Sequence, residues 1–352
     1  MLNRDLLVFQ RPLLTFARSS NERMVVVSLC AFAAILQSAW FDRGWSLIVA
    51  AAALGGALVV DFFCAMRYRH FRFTDGSSIV TALLFTLFLP NTINPVFAAL
   101  GTAFAVGVVK YSFGGLGANW FNPALGGWLF IRFSWPDSFK EAMSPSSLTF
   151  ISNFIKDPAG SFVASPVYML TKNGFGTQNG ELITNFLNKN LFSLINIELP
   201  SAYFDFFINP GAGIIADRGV IALIAASMIM IVAMVSRNIL SAIYLFVLLA
   251  IVRIAGGLPF GGEIGSGDMF FCLFSGGTLA VALFVIVESA TCPKTKGGRL
   301  IFVIIAALLT WVFRYVKAEG CAAIFAVAAV NIISPLFRMI EEKLCYGGAK
   351  WQ

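Results

Sequence analysis

Ten apolar stretches, five on either side of a polar insert running from Pro136 to Arg218, constrain this 352-residue chain more than any other feature it has. They fall at residues 24–41, 45–66, 76–90, 95–112 and 119–135, then at 219–236, 238–255, 267–288, 299–316 and 320–338. A bilayer core takes about 20 apolar residues per helix. Within lipid only a helix, or a closed barrel, satisfies every backbone polar group. The pattern therefore predicts an all-α membrane protein of about ten transmembrane helices. With 58% hydrophobic and 12% charged residues, too little polar surface is left for a soluble domain of this size. Three parts follow: residues 1–135 with five spans, the insert 136–218, and residues 219–352 with five spans and a short tail.

Basic residues set the expected orientation. Arg4, Arg11, Arg18 and Arg23 precede or open the first span, and no small-residue cleavage site follows it, so no removable signal peptide is expected. Together with the Arg67, Arg69 and Arg72 cluster, Lys110, Arg237, the cluster of Lys294, Lys296 and Arg299, and Arg338 and Lys343, they place both termini in the cytoplasm and the insert outside. The net charge of +7 is explained by loops that meet anionic lipid headgroups rather than by nucleic acid. The six cysteines, at 30, 64, 272, 292, 321 and 345, form no CxxC pair, so neither a disulfide framework nor a Cys-ligated iron–sulfur centre is expected within the chain. The single His70 sits among arginines and reads as a loop or headgroup residue, which leaves no metal site in sight.

Five plus five spans means that an odd number of helices inverts the second half relative to the first, as in inverted-repeat transporters. The third span of each half opens on a polar, glycine-containing start, Asp75-Gly76-Ser77-Ser78 and Gly265-Ser266-Gly267-Asp268, where interrupted helices are expected to expose backbone for binding. A denser motif is Lys110-Tyr111-Ser112-Phe113-Gly114-Gly115-Leu116-Gly117-Ala118-Asn119-Trp120-Phe121-Asn122-Pro123. Glycines let backbone amides approach a planar or anionic ligand, and a helix start adds partial positive charge. The same residues also suit a tight turn capped by asparagine. In the second half, Ser275-Gly276-Gly277-Thr278 permits close helix contact. Glu288, Thr291, Lys294 and Thr295 follow, able either to face water or to bind a phosphate or the polar edge of a ring. Asp61 is the clearest ionisable residue within a span, and such residues carry functional hypotheses by default. Arg132 and Arg253 read as interface anchors. No GxGxxG opens a helix in a βαβ unit, so no nicotinamide site is expected.

The stretches Asp75 to Leu84, Phe113-Gly114-Gly115-Leu116-Gly117 with Asn122-Pro123-Ala124, Ser275-Gly276-Gly277, and Lys296-Gly297-Gly298-Arg299-Leu300-Ile301-Phe302 resemble the NqrB/RnfD family in order and spacing. The resemblance covers nearly the whole chain. Its length and short N-terminus look more like the RnfD members, which belong to the Rnf ion-translocating electron-transport complex, than the NqrB members, which belong to the sodium-pumping NADH:quinone reductase. It implies two inverted five-helix repeats of urea-transporter-like architecture in a bacterial inner membrane. It also implies flavin mononucleotide joined through its phosphate to a hydroxyl of the insert, with a second flavin, riboflavin or similar, near the cytoplasmic side.

The family's attachment threonine lies in a pattern that is degraded here. Val163-Ala164-Ser165-Pro166 is the nearest match, with Ser161 and Asp157 upstream, and a serine can form the same phosphoester. Phe162 and Val163 replace the small polar residues expected before Ala164; Thr171 and Thr177 are fallback acceptors. The residues to which the resemblance and the motifs point for flavin are Ser165, Asp75, Gly76, Ser77, Gly114, Gly115, Gly117, Asn119, Asn122, Gly276, Gly277, Thr291 and Lys294. Implied partners are a flavin-bearing subunit, iron–sulfur subunits, a flavin transferase and membrane lipid. The expected function is electron transfer that helps couple ferredoxin and NAD redox chemistry to Na+ or H+ translocation, with no complete activity in this chain alone. The competing expectations are a flavin-free channel or transporter and a non-redox scaffold within the complex.

Overall fold

The computed structural model describes residues 20–67, 76–115, 117–141, 189, 213–233, 238–260, 263–265, 267–288, 290–316 and 320–346. His70, Asp75 and the candidate attachment site at Ser165 lie outside these residues.

Among the described residues the fold is helical, with no strand and one isolated bridge between Pro90 and Ile214. In the first half α1 (Ser20–Phe41) and α2 (Trp45–Arg67) are joined by a three-residue turn. They are followed by α3 (Ser77–Leu87), α4 (Pro95–Phe104) and α5 (Pro123–Ser134). A π-helical turn, Ala105–Lys110, and a 3₁₀ turn, Tyr111–Phe113, prolong α4. Within the stretch 136–218 the described helices are a short α6 (Asp137–Glu141) and, at its far end, α7 (Ile215–Arg218). The second half comprises α8 (Val220–Val232), α9 (Asn238–Ala255), α10 (Met269–Phe274), α11 (Thr278–Ala280) with a π turn Val281–Val285, α12 (Lys296–Trp311) with a π turn Val312–Val316, and α13 (Ala322–Tyr346).

Five of these segments are long and apolar enough to cross a membrane, Ser20–Phe41, Trp45–Arg67, Pro95–Phe113, Lys296–Val316 and Ala322–Lys343. This is an all-α, multi-span membrane protein.

Helix starts obey local chemistry that the sequence displays. Asn94 and Asn122 each precede a proline, and each side chain accepts from a backbone amide inside the helix, Val96 N at 2.9 Å and Leu125 N at 3.1 Å. Proline at the first helical position loses no bond and presets φ. The apolar run 119–135 thus becomes helical only from Pro123. The run 267–288 is divided at Ser275-Gly276-Gly277. Its glycines take positive φ of 63° and 69°, which no helix continues through. The interruption therefore lies beyond Gly265–Asp268, inside the span. In the first half the helix-free segment 88–94 separates the third stretch from the fourth, and it is the interruption of that half.

Small residues bring α2 and α4 into contact. Ala50, Ala53 and Ala57 are buried on α2, and Thr102 Oγ1 donates across to Ala53 O at 2.7 Å. At Gly56 a Cβ would lie 2.8 Å from Thr102 Oγ1 and 2.9 Å from the Ala99 carbonyl carbon. Without a hydrophobic drive between helices in lipid, such close backbone approach carries association. Gly56→Leu is expected to force α2 and α4 apart and to cost about 1–3 kcal/mol, read as a lower melting temperature of the purified protein in detergent. An unchanged melt would show that the pair tolerates separation.

Candidate functional site

Polar residues inside this fold gather in three connected places. The first lies where α2 ends, α3 begins and α4 ends. Asp61 and Lys110 are both 2% exposed and pair at 3.3 Å. The Lys110 ammonium also donates to Ser78 Oγ at 2.8 Å, and the Tyr111 hydroxyl donates to Asp61. The π turn of α4 adds the extra residue that brings both Lys110 and Tyr111 to this point; such turns recur at functional sites. Asp61 therefore does not reach an interface. Its charge is neutralised inside the protein.

The glycine loop is the second place, and it hangs on the backbone of that lysine. Lys110 O accepts from Gly115 N at 3.0 Å and, with the Asn119 amide turned so that its nitrogen donates, from Asn119 at 3.2 Å. Gly115 O accepts from the same nitrogen at 3.0 Å. Gly114, Gly115 and Gly117 all take φ between 84° and 102°, a run that only glycine adopts without strain. The buried ion pair and the loop thus share one residue, and displacing Lys110 disturbs both.

The third place is a seam between the halves. Asn122, having capped α5 with its oxygen, donates from Nδ2 to Glu288 at 2.5 Å. One face of α13 carries Asn331, Ser334, Arg338 and Glu341, at helical spacing. Ser334 donates to Trp120 O at 3.5 Å, and Arg338 donates to Ala290 O and Cys292 O. Glu341 accepts from Lys294 N at 3.0 Å and Thr295 N at 3.2 Å, as well as from the Thr295 hydroxyl. The anion position at the start of α12 is thus filled by the protein's own carboxylate. Deeper on the same face Asn331 is fully buried, and neither its oxygen nor its nitrogen has a hydrogen-bond partner among the described residues. The Thr291 hydroxyl, between the two carbonyls that Arg338 holds, is equally buried and unpartnered among them. Buried polar groups without partners cost about 1–3 kcal/mol each, and these two make the seam the candidate site.

Around the second-half interruption the freed backbone amides and carbonyls find side-chain partners inside the protein. Asp217 accepts from Gly276 N and Gly277 N, each at 2.8 Å. Arg314, fully buried in the π turn after α12, donates to Cys272 O at 2.7 Å and Ser275 O at 2.8 Å.

The residues singled out from sequence thus separate. Ser77 is buried at the start of α3, beside the Ser78 that meets Lys110, with Gly76 just before it. Gly114, Gly115, Gly117 and Asn119 form the loop; Asn122 and Thr291 line the seam; the Lys294 side chain is exposed while its amide serves Glu341. Gly276 and Gly277 belong to the interruption. Sequence reasoning missed Asn331, Asp217 and Arg314. Arg314-Tyr315 repeats the Lys110-Tyr111 pattern near the end of the fourth apolar stretch of its half, and Asn331 stands alone in an apolar run, which were the available signals.

Buried ion pairs, an interrupted helix and a polar seam are thus set inside an all-α, multi-span membrane protein. Residues 7–347 match the NQR2, RnfD, RnfE family, and the chain belongs to it. It is 26% identical over 350 residues to the D subunit of the ion-translocating oxidoreductase complex of Psychromonas ingrahamii, covering 95% of this chain and 96% of that one. It is also 26% identical over 296 residues to the D subunit of the proton-translocating ferredoxin:NAD(+) oxidoreductase complex of Clostridium ljungdahlii, covering 83% and 81%. To the D subunit of the ion-translocating oxidoreductase complex of Methanosarcina acetivorans it is 23% identical over 292 residues, covering 82% and 78%.

Proposed function

We propose that this chain is the electron-carrying membrane subunit of an Rnf-type complex, holding flavin and helping couple ferredoxin and NAD redox chemistry to movement of Na+ or H+. The reading places ten spans in a bacterial inner membrane as two inverted five-helix repeats, with both termini cytoplasmic. Family membership and the names of the relatives support the complex. The observation that carries the flavin is the seam.

A flavin ring presents an N–H between two carbonyls along one edge. Asn331 offers an unused donor and an unused acceptor, and Thr291 an unused hydroxyl. That donor set fits the edge of such a ring. Glycines 114, 115 and 117 allow close backbone approach, while Asn119 and Asn122 hold the loop in place. When bound, the ring accepts one or two electrons and so joins one-electron and two-electron partners. The chain's own residues exclude water from the seam, orient the ring edge, and keep the Glu288 carboxylate beside Asn122 where a proton or cation can be held. In this reading FMN is esterified to Ser165 by a flavin transferase, the ring in the seam is the second, noncovalent flavin, and neighbouring flavin-bearing and iron–sulfur subunits deliver and remove electrons.

The test is made on the purified complex. Mass analysis of the peptide spanning residues 157–172 is expected to show an FMN adduct on Ser165, and denaturation is expected to release a second, noncovalent flavin. Asn331→Leu is expected to abolish the released flavin and leave the covalent adduct. Leucine removes a buried unpaired amide, so a stabilised protein that keeps its released flavin would remove Asn331 from the site. A complex with no flavin of either kind on this chain would overturn the proposal in favour of a scaffold or a channel.

A further inference from the structure

The end of the insert, residues 213–218, touches the interruption of each half at once. On one side Asn91 N donates to Gly213 O at 2.9 Å and Ile215 N donates to Leu89 O at 2.9 Å, forming the bridge at Pro90 and Ile214. The Asn91 side chain accepts from Gly213 N at 3.3 Å. These bonds lie in the segment where the chain has left α3 and not yet begun α4. On the other side both oxygens of Asp217 hold the amides of Gly276 and Gly277, the two residues that break the third span of the second half. Ile214 also packs over Gly277, where an added Cβ would lie 2.9 Å from its Cδ1. The adjacent Arg218 reaches back 3.7 Å to Asp42, whose carboxylate accepts from Ser46 N at 3.2 Å and so caps α2. Residues 214–218 are buried throughout.

Six consecutive residues are thereby bonded to two separate interruptions, some 185 residues apart in sequence (276 − 91 = 185). We propose that residues 213–218 are a linkage that makes the two interruptions move as one unit. Any displacement of the first interruption drags Gly213 to Ile215, and Asp217, two residues on, carries the displacement to Gly276 and Gly277. Densely packed, hydrogen-bonded elements switch between discrete arrangements rather than deforming smoothly. A membrane protein so tied has one internal coordinate where two independent breaks would give it two. The inference stands whether or not the chain carries flavin.

Hydrogen exchange of the intact complex, resolved by peptide, tests it. Asp217→Asn keeps the shape of the side chain but takes away one of the two amide acceptors, and it touches only the second interruption directly. A linkage predicts faster exchange at residues 91–93 as well as at 276–278, by about fivefold or more, because coupling between two sites is reciprocal and of that size. Asn91→Ala removes a bond only at the first interruption and is expected to raise exchange at 276–278 in turn. If Asp217→Asn fails to assemble, the Asn91→Ala arm decides alone. Exchange that rises only in the half where the bond was removed would overturn the linkage and leave two independent local caps.

Discussion

Asp61→Asn is expected to destabilise the protein by about 3–5 kcal/mol, because it leaves the Lys110 ammonium charged in a site from which water is excluded. Both side chains are 2% exposed, so solvent screening does not soften the loss. Two other groups that the lysine meets among the described residues, Ser78 and the face of the Tyr111 ring 4.8 Å away, are themselves uncharged. The damage spreads to the glycine loop, since Lys110 O is the acceptor for Gly115 N and Asn119. Removing both charges together, as Asp61→Leu with Lys110→Met, is expected to recover most of the stability, for an apolar pair of similar volume is often as stable as a buried ion pair. The check is a double-mutant cycle on melting temperature and yield of the purified protein. Additive losses in the double variant would show that the two groups do not act as a pair.

Gly276→Val is expected to cost more than about 4 kcal/mol, a size reserved for changes that break several things at once. Valine at φ 63° meets the left-handed penalty of about 1–2 kcal/mol. Its Cβ would fall on the Arg314 guanidinium and 2.6 Å from Gly320 O. The arginine would then give up Cys272 O and Ser275 O, and Gly276 N would be drawn off Asp217. Retention of a monodisperse protein after mild heating in detergent measures the effect. A Gly276→Val protein as stable as the parent would mean that the break at 275–277 is looser than its bonds require.

Much of the fold was legible because hydropathy and helix chemistry are local. The apolar stretch at 238–255 is helical over Asn238–Ala255, and the proline-led starts at Asn94 and Asn122 follow from residue type alone. Where the sequence led astray, the cause was nonlocal. The polar starts at Gly76 and Gly265 looked like interruptions, yet the breaks lie where partners exist for the freed backbone: Asp217 and Arg314 at one, Gly213 and Ile215 at the other. The candidate site was half legible. Glycine density located the loop at 114–119, whereas nothing near Asn331 in sequence says that its amide is left unpartnered among the described residues.

The sequence by itself determined that the chain is helical and membrane-spanning, since apolar length acts residue by residue. Only the tertiary structure decided that Lys110 neutralises Asp61, that Asn122 meets Glu288 across the halves, and that residues 213–218 bind both interruptions. Each of these joins residues 49 or more positions apart, or two segments at once, and side-chain charge is satisfied by whatever packing brings within about 3 Å, which no local pattern encodes.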